Sequence, residues 1–146
     1  MKTNNLFFII CLMASLSLSF VSCESGDTTR PVINLIEPAE GEVLSIGEEV
    51  HFEMELSDNE MLKEYKVEIH DNFDGHSHDE ATRAANEPVP FFFEKTWDVS
   101  GKKNASIHHH EIVIPADATP GDYHVEVFCT DAAGNEAFIV RNVELR

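Results

Sequence analysis

The sequence predicts an all-β antiparallel sandwich of about seven strands with one long histidine-rich loop, and three observations carry that prediction. Several short segments alternate apolar and polar residues with a period of two. Turn residues separate them, and no long stretch keeps a helical period. Histidines and acids crowd around a glycine in His70-Asp71-Asn72-Phe73-Asp74-Gly75-His76-Ser77-His78-Asp79, which runs from the end of a strand into the connection from Asp71 to Pro90, long for a compact domain.

The chain divides into residues 1–22, an export signal, residues 23–30, a polar tether, and residues 31–146, the sandwich domain. Lys2 gives the signal a basic start, Leu6 to Val21 is an almost uncharged apolar run, and small residues precede Cys23. The run is short for a spanning helix of about 20 residues, so the expectation is a protein that is anchored and does not span. Phe20-Val21-Ser22-Cys23 resembles the bacterial lipoprotein cleavage box, which implies that Cys23 carries lipid; a plain signal peptide or an uncleaved anchor is the alternative. The acidic residues after Cys23 resemble the surface-export signals of Bacteroidota lipoproteins, implying an outer-membrane or cell-surface address.

The first strand is Pro31 to Ile36, stopped by Glu37-Pro38 and the turn at Gly41. Val50-His51-Phe52-Glu53-Met54-Glu55-Leu56 is the second, with its even-numbered residues apolar. In the third, Tyr65, Val67 and Ile69 face in and His70 faces out. Phe91 to Val99 and Ile107 to Ile114 follow as the fourth and fifth strands, joined by Ser100-Gly101-Lys102-Lys103-Asn104. Phe91-Phe92-Phe93 and Trp97 could supply aromatic contact, but alternating aromatics on a strand fit a core better, which is expected of at least two of them. The last strand is Ala137 to Leu145.

The sixth strand and its turn, Gly121-Asp122-Tyr123-His124-Val125-Glu126-Val127-Phe128-Cys129-Thr130-Asp131-Ala132-Ala133-Gly134-Asn135, resemble those of bacterial immunoglobulin-like and fibronectin-type modules, with Tyr123 in the tyrosine-corner position. The segment after Cys23 also resembles an uncharacterised Bacteroidota lipoprotein family with one immunoglobulin-like (fibronectin/cadherin-type) domain, through Ser57-Asp58-Asn59-Glu60, Ile69 to His78 and Pro120 to His124. The resemblance implies a fold and an envelope address and brings no activity. Asp131, Gly134 and Asn135 suit a tight turn, with a Ca²⁺ site at the acidic turns as the sharper alternative.

Ten basic residues stand against twenty-seven acidic ones, a formal net charge of −17. Such a surface repels nucleic acid and anionic lipid and attracts cations, so the membrane contact expected is the lipid anchor alone. Of three cysteines, Cys11 leaves with the signal and Cys23 takes lipid, which leaves Cys129 alone on an apolar row, a buried thiol.

The candidate metal ligands are His70, His76, His78, His124, His108 and His110. In immunoglobulin order the third and sixth strands are antiparallel neighbours, so His70 and His124 meet on an outer face where the loop leaves, and His76 and His78 can fold back onto them. Asp71, Asp74 or Asp79 is an alternative ligand or an acceptor for an imidazole N–H. His108 and His110 are in phase with Ile112 and Ile114, so either a bulge intervenes or two histidines point inward; they form a second site or share one with the loop. His51 and His109 read as solvated strand residues. Imidazoles with occasional carboxylate and no thiolate suit Zn²⁺ or Cu²⁺.

No His-Glu-x-x-His helix, nucleophile elbow or phosphate-cradling loop is present, so the expectation is a binding protein, not an enzyme. Two readings compete. One is an envelope-anchored module that captures, buffers or hands over Zn²⁺ or Cu²⁺. The other is a surface adhesion or accessory module that binds glycan or an envelope protein, with any metal purely structural.

Overall fold

Val50, Phe52, Met54 and Leu56 are buried while His51, Glu53 and Glu55 between them stay at the surface, as a strand with one dry and one wet face requires. The same rule places the other strands. The computed structural model describes residues 26–73 and 90–146, and these hold eight strands and no helix. In chain order they are β1 (Val32–Glu37), β2 (Glu42–Leu44), β3 (Glu49–Ser57), β4 (Leu62–Asp71), β5 (Phe93–Asp98), β6 (Asn104–Val113), β7 (Gly121–Asp131) and β8 (Glu136–Leu145).

Two sheets form a sandwich, β1-β3-β6 and β2-β8-β7-β4-β5. The expected neighbours are found: β4 and β7 pair antiparallel from Leu62↔Asp131 to Asp71↔Tyr123. One strand is additional. β2 pairs parallel with the end of β8, so the sandwich is not wholly antiparallel. Three residues are too few for an alternation to be read.

The core fills from both sheets: Phe52, Met54, Leu56 and Ile112 on one side face Val67, Ile69, Val125, Val127 and Cys129 on the other. Each such aliphatic or aromatic side chain contributes roughly 1.5–3 kcal/mol by leaving water. Phe91, Phe93 and Trp97 pack partly buried against this core, whereas Phe92 is exposed.

Tyr123 is fully buried, and its hydroxyl donates to the Thr119 carbonyl, four residues upstream, at 2.8 Å, the bond of a tyrosine corner. The same oxygen accepts the Phe91 N–H at 3.1 Å. Phe73 meets the Tyr123 ring edge-on, with centroids 5.4 Å apart. Gly121 makes room for it: its φ is +143°, and a Cβ there would lie 2.5 Å from Phe73 Cε1. One tyrosine therefore anchors both flanks of the histidine-rich connection. Residues Cys23, His76 and His78 lie outside the described residues, as do Asp74 and Asp79.

Candidate functional site

A β-bulge builds the first group of imidazoles. Between β3 and β6, Val50 pairs with Ile112 and Phe52 with His109, so His110 and Glu111 together stand opposite His51. The extra residue reverses the phase of β6. Beyond the bulge Ile112 and Ile114 are buried; before it Ala105, Ile107 and His109 take the inward positions. Of the two alternatives that the sequence leaves open, the bulge is the one found, and His108 and His110 both face solvent.

His51 joins them. Its Nε2 lies 3.0 Å from His108 Nε2, and its ring stacks on His110 with centroids 5.1 Å apart. One ring nitrogen from each of the three lies within 4.8 Å of the others. Two nitrogens on a tetrahedral Zn²⁺ are about 3.3 Å apart, given Zn–N bonds near 2 Å. The 3.0 Å between His51 Nε2 and His108 Nε2 is close to that spacing. His51 is a surface residue as expected, but it is not alone, and only the cross-strand pairing reveals this. Glu53 stands directly across the ladder from His108.

His109 corrects its expectation as a solvated residue. It is half-buried, stacked on Phe52 at 5.0 Å and on Trp97 at 4.9 Å. Burial lowers its pKa, which favours the neutral ring. Its Nδ1 accepts the Glu111 N–H at 3.4 Å, and its Nε2 is buried without a hydrogen-bond partner among the described residues. Glu111, at the bulge, accepts from Trp97 Nε1 at 2.9 Å and pairs with Lys95; these two donors hold its carboxyl below the usual glutamate range. The bulge thus also joins the edge strands β5 and β6 across the two sheets.

The second group lies on the outer face of the five-stranded sheet. His70 and His124 are register partners, and their rings meet edge-on with centroids 5.4 Å apart. With Glu126 they offer three ligand atoms within 4.8 Å of one another, all half-buried. Glu68 Oε1 lies 3.7 Å from His70 Nδ1. The meeting expected of His70 and His124 is present; His76 and His78, expected beside them, lie outside the described residues.

The two groups stand on opposite outer faces with the core between them. Among the described residues His70 and His124 therefore stand apart from His108 and His110, which accords with the alternative of two sites; the loop histidines of the other alternative, His76 and His78, lie outside the described residues. Cys129 is fully buried, and burial pushes its thiol up to about 12, so it offers no thiolate at neutral pH.

No curated protein matches the chain. The chain belongs to the DUF4625 family, a domain of unknown function, whose family model matches residues 20–146.

Proposed function

We propose that the protein is a lipid-anchored envelope module that binds Zn²⁺ or Cu²⁺ through surface imidazoles and captures, buffers or hands over the ion. The observation that carries this reading is the convergence of His51, His108 and His110 on one exposed sheet face. Neutral imidazoles suit these ions, three of them leave a coordination position for water or a receiving ligand, and exposure lets the ion exchange without unfolding the domain. His70, His124 and Glu126 offer a second candidate ligand set, and the proximity of His76 and His78 in the sequence makes them further candidates. The excess of acid over base raises the local cation concentration. Residues 1–22 and Cys23 support export and lipid attachment, and the acidic tether supports surface display.

The test is calorimetric titration of the purified protein, without an affinity tag, with Zn²⁺ and with Cu²⁺. Binding tighter than about 10 μM, a free energy of roughly −7 kcal/mol, is expected, and the H51A/H108A/H110A variant should weaken it at least 100-fold. Retained binding in that variant, lost only when His70, His76, His78 and His124 are all replaced, moves the site to the other face. Weaker binding than this in the parent protein sinks the reading. Palmitate labelling of the cells, lost on Cys23→Ala, tests the anchor.

A second reading, adhesion to glycan or protein with any metal purely structural, draws on one observation. Phe138 is 66% exposed on the outer face of β8 and stacks on Phe128, over which Lys66 Nζ sits 4.4 Å from the ring centre. Ligand binding lost on Phe138→Ala and indifferent to chelators would favour it.

A further inference from the structure

Three carboxylates from segments far apart in the chain meet at one end of the sandwich: Asp27 ahead of β1, Asp58 just after β3 and Asp131 at the end of β7. One oxygen from each lies within 4.8 Å of the others. Asp131 is only 1% exposed. Among the described residues no Lys, Arg or His forms an ion pair with any of the three, and Lys103, beside them in the chain fold, donates instead to the Asn59 carbonyl at 2.7 Å.

The hydrogen bonds divide the work within each group. Asp27 Oδ1 accepts the Thr29 N–H at 2.9 Å, and Asp58 Oδ2 accepts the N–H groups of Glu60 and Met61 at 2.8 and 2.7 Å. Asp131 takes the Asn135 N–H on Oδ1 at 2.8 Å and the Asn135 side-chain amide on Oδ2 at 2.7 Å. That amide also donates to the Asp27 carbonyl at 2.9 Å, which ties the first segment to the β7–β8 turn. The remaining oxygens, Asp27 Oδ2 and Asp58 Oδ1, are shut off from solvent and have no hydrogen-bond partner among the described residues. A carboxylate oxygen deprived of both water and donors, beside other carboxylates, is costly unless a cation completes it.

We propose that Asp27, Asp58 and Asp131 form a Ca²⁺ site that closes the junction between the amino-terminal segment and the sandwich. The set is all oxygen and hard, which disfavours the ions that imidazole and thiolate select. Backbone amides of the turns orient the carboxylates, as outer-shell donors do in built metal sites. The site is independent of the histidine groups and survives if they bind nothing.

The experiment is calorimetric titration of the full chain with CaCl₂ after treatment with a chelator and its removal, together with thermal melts. One Ca²⁺ per chain is expected, with a dissociation constant between about 10⁻⁶ and 10⁻³ M, the span from sensors to extracellular modules. Asp27→Asn and Asp58→Asn should each weaken it at least tenfold and shrink the Ca²⁺-dependent rise in melting temperature, while H51A/H108A/H110A leaves both unchanged. Asp131 is spared because its loss also breaks the β7–β8 turn. Absence of Ca²⁺ binding up to about 10 mM, beyond the weakest extracellular modules, overturns the proposal, and so does unchanged affinity in both variants.

Discussion

His51, His108 and His110 stand on an open sheet face, and water reaches all three rings. Asp27, Asp58 and Asp131 converge at the end of the sandwich, where hydrogen bonds from the turns hold each carboxylate in place. The first group costs the fold little when its partner ion is absent, because solvated imidazoles need no counterpart. The second places like charges together and buries two oxygens that have no close hydrogen-bond partner among the described residues, a cost that a bound cation would offset. One chain therefore holds a candidate site suited to exchange and another suited to structure, and burial is what separates them.

The largest effect expected from this contrast is at the acidic end. With Ca²⁺ near 100 times its dissociation constant, Asp58→Ala should cost roughly 3–4 kcal/mol, from about 2.7 kcal/mol of lost binding linkage and about 1 kcal/mol from the hydrogen bonds to Glu60 and Met61. Chemical denaturation with and without EGTA measures it, and a loss that ignores EGTA would break the contrast.

Next in size, H51A/H108A/H110A should lower Zn²⁺ affinity at least 100-fold yet change stability by no more than about 0.5 kcal/mol, as exposed substitutions do. A larger stability loss in metal-free buffer would show that the imidazoles support the fold themselves. The two ions should also part with pH. Protons compete for imidazole, so Zn²⁺ binding should fall steeply between pH 7.5 and pH 5, while Ca²⁺ binding to aspartates changes little over that range. Parallel titrations at the two pH values decide this.

A smaller effect belongs to His109. Its folded pKa is lowered by burial, so the unfolded chain takes up the proton first; its contribution is intact above the ordinary histidine pKa near 6.5 and is lost as pH falls through the lower folded value. His109→Phe, which keeps a ring between Phe52 and Trp97, should flatten the fall in melting temperature below pH 6.5. An unchanged slope would place the acid sensitivity elsewhere. The smallest expected effect is on the far face: His124→Ala should leave Zn²⁺ affinity at the triad within about twofold, since sites separated by the core act independently.

Much of this architecture is legible from single residues. The alternation in Val50 to Leu56 and Tyr65 to His70 fixes which side chains face in, and the structure buries those rows. Tyr123 makes its corner bond, Cys129 is sealed in the core, and His70 meets His124 because β4 and β7 keep one register from Glu64↔Thr130 to Asp71↔Tyr123, the irregularity between Leu62 and Glu64 lying at the far end. Where regularity fails, so does the reading. The bulge at His110 and Glu111 reverses the phase of β6, so extrapolating back from Ile112 assigns the wrong histidines to the interior. β2 is too short to carry a period at all.

The sequence by itself determined the fold class, the inward rows and the chemical types of side chain that a candidate site could use, because side-chain period and acid–base character are properties of neighbouring residues. Only the tertiary structure decided which ligands stand together: His51 with His108 and His110, and Asp27 with Asp58 and Asp131. Those meetings depend on strand pairing, register and chain crossings between residues far apart in sequence, and no local pattern encodes the distance between them.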